Sequence, residues 1–236
     1  MRCYLIIDDN LQLAENLAEI ISDAGAEAVA VDGLDAALAQ VKAQRFDALL
    51  TDMRMPVANG AEVVHRVRQL DPDLPACVMT AYTADDDLAS ARREGLLAIF
   101  AKPVPIGPVL ATLEAAKRGG LVALVEDDPA LSDNLCELLR GQGFGVVTAA
   151  SVVETDRLGP VRPFAALMDV RVPGGPDGEA LRRFAARFPD VPRLVITAHR
   201  DMMPAVPHAG VFGKPFDSAA LLQEIDQLYA RARSAA

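Results

Sequence analysis

Leu5-Ile6-Ile7-Asp8-Asp9 closes an apolar run with two carboxylates, and Leu124-Val125-Glu126-Asp127-Asp128 does so again, with Glu126 standing 118 positions after Asp8. Each acidic pair is followed, in the same order, by one further Asp, one Thr-Ala and one Lys-Pro: Asp52, Thr80 and Lys102 in the first half, Asp169, Thr197 and Lys214 in the second. Asp52 to Thr80 and Asp169 to Thr197 are both spacings of 28. A repeat this long is no solenoid unit, so it marks two whole domains, residues 1–118 and 119–236. The repeated positions are polar, which a shared core would not require, so the repeat concerns chemistry.

Outward from these stretches, short apolar runs alternate with amphipathic segments. The pattern predicts strands over 3–8, 27–31, 47–52, 76–80 and 97–101, and helices over 11–24, 34–44, 59–69, 85–94 and 106–117. The second half repeats this order from Leu121 and closes with a helix over about 217–233. Ala48-Leu49-Leu50 is apolar without alternation, as in a strand covered on both faces. Five strand–helix pairs in succession predict a parallel, doubly wound α/β sheet with right-handed crossovers. Lys117-Arg118-Gly119-Gly120 forms a short joint between the halves.

Composition excludes more than it assigns. Residues 1–118 hold 11 Lys+Arg against 18 Asp+Glu, and residues 119–236 hold 12 against 15, so neither half offers the basic patch that nucleic acid requires. Arg182, Arg183 and Arg187 fall at helical spacing and read as a solvated face. No apolar stretch approaches the ~18 residues of a membrane span, and no secretory signal precedes the first strand. Three cysteines, Cys3, Cys77 and Cys136, form no CxxC and give no disulfide frame. These features predict a cytoplasmic protein without nucleic-acid or membrane contacts. Met1 beside the first strand and the Ala-rich end favour a complete protein.

Every key acid ends an apolar strand, where open α/β sheets place their ligand sites. Three carboxylates within about 5 Å of one another repel by roughly 3 kcal/mol per pair at an effective dielectric of 20. Protonation or a bound cation relieves this, and a small all-oxygen set suits Mg²⁺. The added Lys and Thr suit a phosphoryl group: an ammonium pairs with one oxygen and a hydroxyl donates to another. Together these parts describe an aspartate that attacks phosphorus.

The residues Asp8-Asp9, Asp52-Met53-Arg54-Met55-Pro56 with Gly60, Thr80-Ala81 and Lys102-Pro103 resemble the response-regulator receiver domain of two-component signalling. Glu126-Asp127, Asp169-Val170-Arg171-Val172-Pro173, Thr197-Ala198 and Lys214-Pro215 repeat the resemblance in the second half. It implies two flavodoxin-like (βα)5 domains with parallel sheet order 2-1-3-4-5 and no output domain. It implies that Asp52 and Asp169 accept a phosphoryl group. Mg²⁺ would be held by Asp8, Asp9, Asp52 and the Arg54 backbone carbonyl, and by Glu126, Asp127, Asp169 and the Arg171 carbonyl. Thr80, Lys102, Thr197 and Lys214 would bind the phosphoryl group. The implied partners are a histidine kinase or histidine phosphotransfer protein, a downstream protein, and a second copy of the chain through the first domain's helix 4–strand 5–helix 5 face. Asp52 is expected to be the main switch.

Some positions depart from the family pattern. Ile99 and Val211 stand where it usually has an aromatic switch residue, and Phe100 and Phe212, one residue later, are expected on the opposite face as core. Thr80 to Lys102 is 22 residues but Thr197 to Lys214 only 17, with Pro204 and Pro207 in the shorter stretch, so helix 4 of the second domain is expected to be shortened or missing. The loop Pro173-Gly174-Gly175-Pro176-Asp177-Gly178 carries one residue more than Pro56-Val57-Ala58-Asn59-Gly60. Tyr82 and His199 are expected at the rims of the sites, His65 on a helix surface and His208 in a loop. Aspartyl-phosphate hydrolases need a second acid two residues after the nucleophile, where this chain has Arg54 and Arg171, so a turnover enzyme is not expected. Two alternatives stay open: a second domain that acts as a non-switching scaffold or dimerisation module, and a chain that is the receiver part of a hybrid histidine kinase.

Overall fold

The computed structural model describes residues 1–81, 94–158, 161–198 and 205–234, and divides into two compact units. One comprises Met1–Gly120 with Arg140–Gly145, the other Leu121–Leu139 with Val146–Ala236. Numbering the described elements in chain order, the first unit runs β1 (Cys3–Ile7), α1 (Leu11–Asp23), β2 (Glu27–Val31), α2 (Leu34–Ala43), β3 (Ala48–Asp52), α3 (Gly60–Leu70), β4 (Ala76–Thr80), β5 (Ala98–Ala101) and α4 (Ile106–Ala115). Then follow β6 (Leu121–Val125), α5 (Pro129–Gly141), β7 (Gly145–Ala149), α6 (Val152–Asp156), β8 (Ala165–Asp169), α7 (Glu179–Arg187), β9 (Arg193–Thr197), β10 (Gly210–Gly213) and α8 (Ser218–Ser234). The helix expected over 85–94 falls outside the described residues except for Glu94, which lies in a turn.

Both sheets are five-stranded, in the orders β2-β1-β3-β4-β5 and β10-β9-β8-β6-β7. Read from its other edge, the second is the order of the first. Residues of β3, β4, β6, β8 and β9 are buried throughout, which explains why these strands read as apolar runs without alternation. In the first unit, Leu5, Ile7, Leu49 and Val78 pack on one face with Val63, Val64 and Val67 of α3. Tyr4, Ile6, Leu50 and Met79 pack on the other with Ala14, Leu17 and Ile21 of α1 and Val109 and Leu113 of α4. In the second unit, Ala123, Val125, Met168 and Val195 pack with Leu181 and Phe184 of α7.

Helix starts follow local capping chemistry. Asn10 Oδ1 accepts from Leu13 N–H at 3.2 Å, Asn59 Oδ1 from Glu62 N–H at 2.9 Å, and Asp128 Oδ1 from Ala130 N–H at 2.9 Å. In the second unit the described part of the β9–β10 connection, Ala205–Ala209, is not helical; residues 199–204 lie outside the described set. Phe100 is buried on the α1–α4 face and Ile99 packs on the α3 face, the alternation expected of a strand. Phe212 is only half-buried, edge-on to Phe216 with ring centroids 6.5 Å apart, because β10 is an edge strand with every residue partly exposed.

Candidate functional site

Strand register assembles the polar residues. Ile7 pairs with Thr51, so Asp8 and Asp52 stand side by side at the ends of β1 and β3. Asp52 pairs with Met79 and Thr80 with Ala101, which brings Thr80 and then Lys102 to the same end. In the second unit, Val125 pairs with Met168, Asp169 with Ile196, and Gly213 with Thr197, so Glu126, Asp169, Thr197 and Lys214 converge identically. With neighbouring strands about 4.8 Å apart, such groups fall within reach of one another.

They meet closely. Lys102 Nζ lies 2.9 Å from Asp8 Oδ2 and 2.8 Å from Asp52 Oδ1. Lys214 Nζ lies 2.7 Å from Glu126 Oε2 and 2.6 Å from Asp169 Oδ2. Asp8, Asp52, Thr80, Glu126, Asp169 and Thr197 are buried, whereas Asp9 and Asp127 are exposed. Carboxylate oxygens of Asp8, Asp9 and Asp52 lie within 4.8 Å of one another, as do those of Glu126, Asp127 and Asp169. These all-oxygen sets, partly buried and open on one side, fit a hard divalent cation.

Backbone donors fix the inner acids. Asp8 Oδ1 accepts from Asn10 N–H at 3.0 Å, and Glu126 Oε1 from Asp128 N–H at 3.2 Å. Asp169 Oδ1 accepts from Arg171 N–H at 3.1 Å, while its other oxygen takes Lys214. Burial pushes the Asp52 carboxyl up from its ordinary value, and the charge of Asp8 adds to this; Lys102 works the other way without overcoming it. Burial likewise pushes Glu126 up against the pull of Lys214. Burial also disfavours the Lys102 and Lys214 ammonium ions, but their carboxylate partners outweigh it and hold both above the usual lysine value. Asp52 and Lys102 thus shift the same way for different reasons, the acid through burial and the ammonium through its carboxylate partners, and Glu126 and Lys214 repeat the pattern.

Gly60 keeps the first site compact. A Cβ there would stand 2.6 Å from the Asp52 carbonyl oxygen and 3.1 Å from Met53 Cα, and Gly60 N–H donates to Met53 O at 2.9 Å. Gly178 closes the corresponding loop with φ of 75° and donates to Val170 O at 2.7 Å. The extra loop residue has a visible effect: Val152 N–H at the start of α6 donates to Pro173 O at 2.9 Å, and Gly174 lies against the Val152 side chain. In the first unit the same corner is a hollow of about 240 Å³ lined by Leu34, Asp35, Met55 and Val57, among others.

All the named acids, threonines and lysines thus come together in two clusters. Arg54 and Arg171 sit in the loops after the two aspartates, both exposed, and Arg171 Nε lies 3.4 Å from Asp177 Oδ1. Tyr82 and His199 lie outside the described residues. His65 on α3 has its Nδ1 3.4 Å from Glu94 Oε1, and exposed His208 contacts Val206 O, both away from the clusters. The sequence reading did not find two arginines at the other ends of the sheets, half-buried Arg68 and buried Arg193; arginines amid apolar segments were the available signal.

The chain is similar to known proteins. Residues 4–114 match the response regulator receiver domain. The chain is 58% identical over 229 residues to a response regulator receiver protein of Anaeromyxobacter sp. (strain Fw109-5), covering 97% of this chain and 96% of that one. It is 32% identical over 125 residues to the response regulator protein FleR of Pseudomonas aeruginosa, covering 53% of this chain but 26% of FleR. Chemotaxis protein CheY4 of Vibrio cholerae aligns in structure at 28% identity, over 48% of this chain and 97% of its own, with a TM-score of 0.45. Similarity to the Anaeromyxobacter protein along nearly its whole length shows that this chain belongs to the response regulator receiver family.

Proposed function

We propose that the chain is a phosphorelay response regulator made of two receiver domains, residues 1–118 and 119–236. Each accepts a phosphoryl group from a phosphohistidine of a kinase or phosphotransfer protein, onto Asp52 or Asp169, and signals through protein contacts. A carboxylate oxygen of the aspartate forms the new bond to phosphorus as the phosphorus–nitrogen bond of the donor breaks, and the histidine leaves as imidazole. Mg²⁺ held by the three acids, with the Arg54 or Arg171 carbonyl, would offset the charge gathered there. Lys102 and Lys214 already stand against the acceptors, so each needs only to transfer its hydrogen bond to a phosphoryl oxygen. Thr80 and Thr197, buried at the neighbouring strand ends, supply the hydroxyl.

The single observation that carries this reading is the lysine held between two buried carboxylates at the carboxyl ends of the strands, present in both units. The charge excess of each cluster favours cation binding before the phosphoryl group arrives. A second reading, in which the second domain is a scaffold, is favoured by the non-helical stretch Ala205–Ala209 before β10. Intact mass after incubation with Mg²⁺ and acetyl phosphate separates the two. Two additions on the parent and one on each of Asp52→Asn and Asp169→Asn support two working switches. One addition lost only with Asp52→Asn favours the scaffold reading, and no addition in any form overturns the proposal.

A further inference from the structure

At the opposite end of each sheet a guanidinium ties together two pieces of chain, and the two units supply it from different places. In the first, Arg68 near the end of α3 donates through Nε to Leu74 O at 3.4 Å and through Nη2 to Gly95 O at 3.1 Å. In the second, Arg193 at the start of β9 donates through Nε to Pro207 O at 3.0 Å, and through Nη1 to Phe188 O at 3.0 Å and Pro189 O at 3.4 Å. The targets correspond. Gly95 and Pro207 each stand three residues before the strand that carries the lysine, β5 from Ala98 and β10 from Gly210. Leu74 and the Phe188–Pro189 pair lie in the same turn between helix and strand, closed by Leu74 N–H to Asp71 O and by Val191 N–H to Phe188 O, both 3.2 Å.

The donors are exchanged. Arg68 stands three residues before the α3 C-cap Asp71, and the residue three before the α7 C-cap Phe188 is Ala185. Arg193 opens β9, and the residue that opens β4 is Ala76. One domain therefore has Arg68 with Ala76, the other Ala185 with Arg193. Two solutions to one geometric demand point to a demand at that corner. The fork of guanidinium donors suits it, because helix ends and turns leave carbonyls that need partners. Burial pulls Arg68 down to about 10 and lowers Arg193 as well.

The strands entered here explain the demand. β5 and β10 are four-residue edge strands, each bonded to one neighbour. Each ends directly before its lysine, Lys102 or Lys214. With one ladder to hold it, a short strand opens readily, and an anchor at its entry limits that opening. We infer that Arg68 and Arg193 are positioning residues for Lys102 and Lys214, acting through the first residues of the edge strands that carry them. Their importance for phosphoryl transfer rests on the receiver reading above; the anchoring itself does not.

Amine acylation tests this in the full chain, without any phosphoryl chemistry. The parent, Arg68→Ala, Arg193→Ala and Arg68→Ala/Ala76→Arg are pulse-labelled with acetic anhydride, and labelling at Lys102, Lys214 and exposed Lys42 is quantified by peptide mass. Arg68→Ala is expected to raise Lys102 labelling about threefold or more relative to Lys42, while Lys214 stays at the parent level. Arg193→Ala is expected to do the reverse. Moving the arginine, in Arg68→Ala/Ala76→Arg, is expected to return Lys102 to parent protection. Parent-level Lys102 labelling in folded Arg68→Ala overturns the inference, as does a moved arginine that restores nothing. If Arg68→Ala does not fold, the moved arginine decides: a folded chain with protected Lys102 supports the inference, and an unfolded one overturns it. A chain that passes this test yet takes no phosphoryl group would refute the receiver reading alone.

Discussion

Lys102 Nζ stands 2.8 Å from Asp52 Oδ1, so the ammonium is already in contact with the carboxylate proposed to attack. Replacing Lys102 with Gln removes a charge-assisted hydrogen bond worth about 1.5–3 kcal/mol. Phosphorylation of Asp52 by acetyl phosphate is then expected to slow by roughly 10- to 100-fold, with Asp169 unaffected. Time-resolved intact mass in the Asp169→Asn and the Asp52→Asn backgrounds, each with and without Lys102→Gln, checks both.

Two buried acids, one in each cluster, make folding harder at neutral pH. Asp52 and Glu126 both have folded-state values raised by burial, so the folded chain binds protons more tightly than the unfolded one. Their contribution is therefore most favourable below the ordinary carboxyl value and is lost as pH rises through the folded value. Asp52→Asn and Glu126→Gln are expected to stabilise the chain at pH 7 in chelator-treated buffer, by on the order of 1 kcal/mol. The gain should shrink on acidification towards pH ~4. Urea unfolding of each variant at the two pH values measures it, and an advantage independent of pH would contradict the assignment.

Gly60→Ala should be poorly tolerated. Its new Cβ would stand 2.6 Å from the Asp52 carbonyl oxygen, a backbone atom that cannot swing aside. A loss of about 1–3 kcal/mol in urea unfolding is expected, accompanied by weaker Mg²⁺ binding as the end of β3 shifts. Ala61→Gly, one position along, removes no such contact and should leave Mg²⁺ affinity unchanged.

Arg118 is held to the body of the first unit. Its Nη2 lies 2.7 and 2.8 Å from the two oxygens of Asp71, and its Nη1 donates to Phe46 O. The side chains of both charged partners are largely buried, so Arg118→Ala leaves Asp71 and the Phe46 carbonyl without this donor. A loss of about 2–4 kcal/mol is expected. Arg118→Ala/Asp71→Ala, which removes both charges, should recover part of it; a double-mutant cycle in urea reads the coupling.

Much of the fold was legible because parallel strands buried on both faces leave a strong trace, as in Ala48-Leu49-Leu50, and acids at strand ends named the residues that the fold brings into two clusters. The boundaries of β2 and β4 came out as expected, and others differed by a residue or two; at α3, capping decided the end, since Asn59 took the cap and left Gly60 as the first residue. Burial of Phe212 was overestimated, because period-two alternation gives a side chain's face but not whether its strand lies at an edge. The lysine bridges are contacts between residues 45 or more positions apart, so local pattern named their members without giving the pairing. The close approach at Gly60 and the anchoring by Arg68 and Arg193 depend on tertiary contacts, which one residue's neighbours in sequence do not encode.

The exchanged arginines also bear on how the two halves of the gene can trade sequence. Duplicated segments recombine, and a crossover between α3 and β4, joined to the matching point between α7 and β9, would leave one product with both Arg68 and Arg193. Two guanidinium ions would then crowd one corner. The reciprocal product would hold Ala185 and Ala76, with neither, leaving the turn and the strand entry without their donor. Either hybrid domain would keep every acid, threonine and lysine of its site and still be poorly assembled. The stretch from 68 to 76 and its counterpart from 185 to 193 therefore behave as indivisible blocks, and the two domains are barred from exchanging sequence freely within them.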